Sequence, residues 1–414
     1  MESTGGIGEI LNQIDLDDYR NSNDEFEQLC DRCSGVRSIG PCSGKEKGKC
    51  CCNSNGLPSP LCVYYSPRIM GLLNGEKTEF ETARDHWTVL DPGSEAEAEM
   101  IAEENRRYFD EVLAKHPEWG GFFTKYQHLE LGEKIGEGAQ AEVFAVSSSS
   151  RGVYPSSTVY SEPVLVAKVW KAGVPLKHLE RQWPPQMLSQ LSQESVVWPF
   201  KNICGGVFIR EGEFTNRFAF VMERFRTDLR SEIDYIMLEL LKKKIHGPPL
   251  VPDEYISMLR TVAVDLVDLH DAGVVHRDIK ASNVLLGSYN SSVRFATSFV
   301  IDYECSVGVV GTGFWRAPEI LDQLQKGVRS DKLVFTKEVD MYSFGMLCYE
   351  VITGCIPFDG RPQNDYSIVL SGGRPHLPED IDPVLRSFIV GCWHPDPMSR
   401  PSAKSISIEF QYIR

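Results

Sequence analysis

The segment HRDIKASNVLL, from His276 to Leu286, sets Asp278, Lys280 and Asn283 close together, and Asp302 follows in the run Val300-Ile301-Asp302-Tyr303-Glu304. A carboxylate that receives the proton of a hydroxyl, a lysine that neutralises a phosphoryl group in transit, and an amide plus a second carboxylate that hold Mg²⁺ are the parts phosphoryl transfer requires. The fixed letters of H-R-D-x-K-x-x-N arise by chance in a chain this long about once in ten thousand. Further upstream, Val166-Ala167-Lys168 places one cation in an apolar run. IGEGAQAEVF, from Ile135 to Phe144, sets Gly136 and Gly138 in a turn whose backbone N–H groups can lie close over a phosphate, with Ala141 where a third glycine would stand.

The elements that must position these residues come in two textures. Leu129 to Ile135, Ala141 to Val146, Val164 to Trp170, Val207 to Ile209 and Arg217 to Phe225 read as strands, whereas Ile256 to Leu269 and Met341 to Thr353 carry helical periodicity. Strands first and helices second predict an α+β arrangement of two lobes with a cleft between them. Ahead of them, Ser94 and Glu97 fit a capping box, and Ile101, Tyr108, Phe109, Val112 and Leu113 predict a helix over 94–115 that docks one face on a neighbour.

The chain of 414 residues has a net charge of −15, and residues 1–127 hold 23 acids against 13 bases. Phosphate-backbone affinity needs clustered Lys and Arg, so nucleic acid is excluded as the main partner. No apolar run is long enough to span a bilayer, and the first ten residues lack the pattern of a secretory signal. Seven of the 12 cysteines fall between Cys30 and Cys62, and the other five are spread singly through apolar stretches, the pattern of free thiols in a reducing compartment. These features predict an intracellular protein, cytoplasmic or nuclear. For the Cys30–Cys62 segment two readings stand open: a thiolate Zn²⁺ site, with Cys30-x-x-Cys33 as its one standard pair, or an oxidisable or acylated tail.

From about residue 128 to 414 the chain resembles a protein kinase, with residues 128–225 as the β-rich lobe and 226–414 as the helical one. The preceding residues divide into an acidic tail (1–29), the Cys-rich segment (30–93) and the helix with its connector (94–127), a region that could receive a regulatory protein. The resemblance implies ATP and Mg²⁺ as cofactors and a protein as substrate. It makes Ile135, Gly136, Glu137, Gly138, Ala139, Gln140, Ala141, Glu142 and Val143 the phosphate-covering loop and its strands, with Lys168 on the phosphates. Asp278 becomes the catalytic base, and Asn283 and Asp302 the metal ligands. Val143 and Ala167 would cover the adenine and Leu285 would floor it, while Met222 precedes a hinge whose backbone, Glu223 to Phe225, meets the adenine edge. Lys280 and Thr312, beside the acceptor hydroxyl, imply the Ser/Thr class. CWHPDPMSRP, from Cys392 to Pro401, is similar to the tyrosine-kinase-like group.

The sequence departs from that pattern in three places. Glu304 stands where a glycine is usual, beside the metal. The glutamate that should pair with Lys168 falls near Pro184-Pro185, so that Glu180 is the nearest candidate and Glu194 the next. Between Glu304 and Thr312 the sole phosphorylatable side chain is Ser306, which predicts little switching by loop phosphorylation. Glu304 and the displaced glutamate leave an alternative open, a pseudokinase that binds a nucleotide or scaffolds a partner.

Overall fold

In a computed structural model, residues 66–73, 95–124, 126–138, 140–146, 164–176, 203–243, 245, 247–288, 298–303, 310–362, 364–410 and 413 are described. The Cys30–Cys62 segment, Ala139, Glu180, Glu194, Glu304 and Ser306 lie outside the described residues. Among the described residues three α-helices, α1 (Pro67–Leu73), α2 (Glu95–Lys115) and α3 (Gly120–Thr124), precede the first strand. The strands β1 (Leu131–Glu137), β2 (Ala141–Val146), β3 (Leu165–Trp170), β4 (Ile203–Phe208) and β5 (Phe218–Glu223) form one antiparallel sheet in the order β1-β2-β3-β5-β4.

The period of two along β3 gives the sheet two apolar faces. Leu165, Ala167 and Val169 pack with Phe144, Ala219, Val221 and Tyr126 on one side, while Val166 and Trp170 lie with Phe220 and Met222 on the other, the face that carries Lys168. On this second face lies α2. Phe109 stacks on Phe208 at 5.5 Å and meets Phe123 edge-on at 5.4 Å, and Val112 is buried beside them. Gly206 makes this approach possible, because a Cβ there would stand 2.7 Å from the Phe123 ring. Asn105 ties the helix to the connection after β3, donating to the Val174 carbonyl at 2.8 Å and accepting from the Leu176 N–H at 2.7 Å. Phe109, Val112, Phe122, Phe123 and Tyr126 are therefore part of the sheet lobe's core.

After β6 (Phe225–Asp228), α4 (Leu229–Lys242) and α5 (Pro252–Asp271) lead into the helical lobe. β7 (Val284–Ser288) and β8 (Ser298–Val300) join β6 in a small sheet. The helices α6 (Pro318–Gln325), α7 (Lys337–Thr353), α8 (Ser367–Leu370), α9 (Pro383–Cys392) and α10 (Ala403–Glu409) complete it. From Val339 to Thr353 every residue of α7 is buried, so this helix is enclosed on all sides and forms the axis on which the lobe is assembled. Among the described residues Cys348 and Cys392 are free thiols, and no helix is long and apolar enough to cross a membrane.

The packing of α2 carries a consequence for stability. Truncating Phe109 to Ala in the full chain should cost about 3–5 kcal/mol, as for other buried aromatic residues, and lower the midpoint of denaturant unfolding. A midpoint equal to that of the unaltered chain would show that α2 is not part of this core.

Candidate active site

Asp340, fully buried in the first turn of α7, accepts the His276 N–H at 2.8 Å and the Arg277 N–H at 2.7 Å, and His270 Nε2 lies 2.9 Å from it. Arg277 is held at φ 73°, a left-handed conformation that disfavours any residue with a Cβ. Its side chain lies over the Phe335 ring at 4.5 Å. The turn this creates delivers Asp278 into the cleft. His276 is fixed as well: its Nδ1 accepts the Asp278 N–H at 3.2 Å, so Nε2 carries the proton and donates to the Ile301 carbonyl at 2.7 Å.

Around Asp278 the polar groups close into a ring. Thr312 Oγ1 donates to Asp278 Oδ1 at 2.7 Å, and Lys280 Nζ donates to Asp278 Oδ2 at 2.7 Å and to Thr312 Oγ1 at 2.6 Å. Asn283 Nδ2 donates to the Asp278 carbonyl at 2.8 Å and to Oδ2 at 3.2 Å. With its nitrogen so engaged, the Asn283 amide keeps Oδ1 as the atom to offer a cation. All four side chains are buried.

Across the cleft, Lys168 Nζ donates to Asp302 Oδ1 at 2.6 Å, which joins β3 to the segment after β8. Burial pushes the Asp302 carboxyl up, but Lys168's charge and hydrogen bond outweigh it and hold the group below its ordinary value. Asp302 also has a left-handed backbone, φ 72°, and Tyr303 beyond it is fully buried in the core. Among the described residues no group of three or more His, Cys, Asp or Glu forms a metal site of its own. The Asn283 amide and the Asp302 carboxylate are hard oxygen donors. They fit an Mg²⁺ that takes its remaining ligands from a nucleotide phosphate and water.

The turn between β1 and β2 is closed by the Gly138 N–H donating to the Ala141 carbonyl at 2.8 Å. Its two glutamates are bound to cations: Lys134 Nζ reaches Glu137 at 2.5 Å and Glu142 at 2.8 Å, Lys171 Nζ reaches Glu137 at 2.5 Å, and Arg217 reaches Glu142 at 3.2 Å. Hydrogen bonds from Lys134 and Lys171 bring the Glu137 carboxyl down to about 2. This pairing offsets negative charge that would otherwise repel a triphosphate beneath the loop.

The family model for the protein kinase domain matches residues 192–411, more than half of the chain. The chain belongs to the protein kinase family. Similar proteins include a "Light-sensor Protein kinase" of Ceratodon purpureus, 29% identical over 48% of this chain and 18% of that protein. "Dual specificity protein kinase pyk3" of Dictyostelium discoideum is 30% identical over 44% of this chain and 13% of its own length. "Serine/threonine/tyrosine-protein kinase HT1" of Arabidopsis thaliana is 34% identical over 33% of this chain and 34% of its own. The kinase thus spans a minor part of each relative's length.

The described structure changes two of the positions assigned from sequence. Ala167 does not line the cleft: it is fully buried opposite Phe144 and Val221 on the far face of the sheet, and Val166 shares the Lys168 face, pairing with Met222. A strict alternation counted from Lys168 gives this answer. Glu142 likewise pairs with Val169 on the far face, leaving Val143, opposite Lys168, as the β2 residue over the cleft. At the hinge the Arg224 N–H is held by the Val164 carbonyl at 2.7 Å, and the Phe225 ring packs on Phe299 at 4.8 Å. Leu285, on β7 between the buried Val284 and Leu286, is partly exposed; Ile135 and Gly136 lie near the end of β1, Gly138 and Gln140 lie in the turn, and Ala141 is buried at the start of β2.

Position and protonation are linked at Asp265 of α5, whose Oδ2 accepts the Val300 N–H at 3.0 Å and so seats β8 two residues before Asp302. Burial raises this carboxyl to about 7, against the opposing bond from Val300. An acid with a raised folded pKa binds more protons folded than unfolded between the two values, so its ionisation weakens the fold as pH rises. Relative to Asp265→Asn, the kinase should lose stability from about pH 4 to about pH 7 and level off above that. Denaturant unfolding of both proteins across this window measures the difference, and parallel curves would contradict it.

Proposed function

We propose that this kinase transfers the γ-phosphate of ATP to a serine or threonine hydroxyl of a protein. The observation that carries the reading is the closed ring of Asp278, Lys280 and Thr312, formed from two separate segments and braced by Asn283. Asp278 accepts the hydroxyl proton while the hydroxyl oxygen bonds to the γ-phosphorus. The bond from that phosphorus to the bridging oxygen breaks, and ADP leaves with the electron pair. Lys280 and Lys168 meet charge on the phosphoryl oxygens, and Thr312 keeps the carboxylate and ammonium aligned. Bound by Asn283 and Asp302, Mg²⁺ would neutralise phosphate charge. The adenine would lie between Val143 and Val166 above and Leu285 below, its edge on the Glu223 and Phe225 backbone behind Met222.

Arg277 supports the reading that loop phosphorylation does little here, since its guanidinium is stacked on Phe335. A second reading, a nucleotide-binding scaffold without transfer, draws on Glu304 beside Asp302 in the sequence. The two separate in one assay: the full chain with γ-labelled ATP, Mg²⁺ and peptides bearing Ser, Thr or Tyr acceptors. Label should enter the Ser and Thr peptides, and Asp278→Asn should lower kcat about 10²- to 10⁴-fold with little change in KM for ATP. Background label from both proteins, with ATP still bound, would establish the scaffold instead.

A further inference from the structure

Beneath the catalytic loop a second set of charges is buried, and its outermost member comes from the N-terminal extension. Glu350 of α7 accepts the Ala281 N–H at 3.1 Å and the Trp315 Nε1–H at 2.7 Å on one oxygen. These contacts grip the catalytic loop next to Lys280 and the 3-10 turn Gly313–Trp315 that follows Thr312. Its other oxygen accepts from Arg230 Nη1 at 3.3 Å. Arg230 in turn donates to Asp234 Oδ1 at 2.7 and 3.1 Å and to the Gly354 carbonyl at 2.8 Å. The remaining oxygen of Asp234 is taken by Arg68 of α1, through Nε at 3.1 Å and Nη2 at 2.9 Å.

α1 is docked around this contact. Ile69 is buried, Ser66 Oγ donates to Asp359 at 2.7 Å, and Pro67 lies where a Cβ on Gly360 would come within 3.1 Å. Two arginines thus face three carboxylates, Asp234, Glu350 and Asp359. Burial raises Glu350, and it raises Asp359 to about 6 against the pull of Ser66, Arg68 and Arg230. Without Arg68 a single arginine would face all three. A buried carboxylate that loses its partner is costly, and the cost falls on whatever it was holding.

We propose that Arg68 is a positioning residue for the catalytic loop: it completes the buried relay Asp234–Arg230–Glu350, through which the N-terminal extension fixes Ala281 and Trp315. The extension then acts at both ends, α1 on the helical lobe and α2 on the sheet lobe. As a statement about catalysis this rests on the transfer activity proposed above, so the test includes a readout that needs no activity.

The test compares the full chain with Arg68→Gln and Arg68→Lys, measuring hydrogen exchange over 276–286 and 310–316 together with kcat and KM for ATP. In Arg68→Gln, exchange in both segments should accelerate and kcat should fall about tenfold or more, with KM for ATP within about twofold and the peptide over β5 unchanged. Lysine keeps the charge but not the two-point grip, so Arg68→Lys should recover part of both losses. If the glutamine variant unfolds, the lysine variant alone decides, by the same shifts in smaller measure. Free exchange of 66–73 in the unaltered chain would overturn the proposal, as would opening of 66–73 in the variants with loop exchange unchanged. Altered loop exchange in a chain that never transfers phosphate would uphold the relay and refute the transfer reading alone.

Discussion

One buried carboxylate bears on every other feature of the site. Asp340 has no solvent to satisfy it, and its partners are the N–H groups of His276 and Arg277 and the ring of His270. Those bonds offset the left-handed backbone at Arg277, a conformation that costs roughly 1–2 kcal/mol for a residue with a Cβ. Were they lost, the turn would relax and Asp278 would leave the ring it shares with Lys280 and Thr312. The buried helix α7 exists, in this sense, to carry Asp340 at one end and Glu350 three turns later, and the two carboxylates hold opposite ends of the same loop.

A second theme is how an acidic chain handles a polyanion. Rather than a basic surface, the sheet lobe pairs its own loop glutamates with Lys134, Lys171 and Arg217, and the cleft keeps Lys168 and Lys280 as placed cations. Each lysine is already matched to an aspartate, Asp302 or Asp278, so charge in the cleft is local and directional. Such pairs are weakly screened compared with surface charges, which suits a site that must position phosphate rather than attract it from a distance.

Much of this was legible in the sequence because it is local. The helix expected over 94–115 is observed from Glu95 to Lys115, with Ser94 of the expected capping box outside the described residues, and the strand expected from Ala141 to Val146 has those bounds, since helical periodicity and alternation act over a few residues. The spacing in the HRD segment picked out Asp278, Lys280 and Asn283, side chains that the fold brings together. Ala167 was placed over the adenine by the resemblance, without regard to strand parity; counting by twos from Lys168 selects Val166. The strand expected from Val207 to Ile209 begins at Ile203, where Gly205 and Gly206 mask its β character yet are needed for Tyr126 and Phe123 to approach. Arg68 had no readable signal at all. It lies in a segment without periodicity, and its partner Asp234 is 166 residues away, so only the folded chain reveals the relay.

The central claim, that Asp340 holds the catalytic turn in its reactive shape, is tested most directly by kcat of Asp340→Asn in the full chain. An asparagine keeps the shape but turns an N–H₂ toward donors, so the turn loses acceptors without gaining a cavity. The account requires kcat to fall by about 10²-fold or more while far-ultraviolet circular dichroism and ATP affinity stay near those of the unaltered protein. An unchanged kcat in a folded Asp340→Asn protein would contradict it.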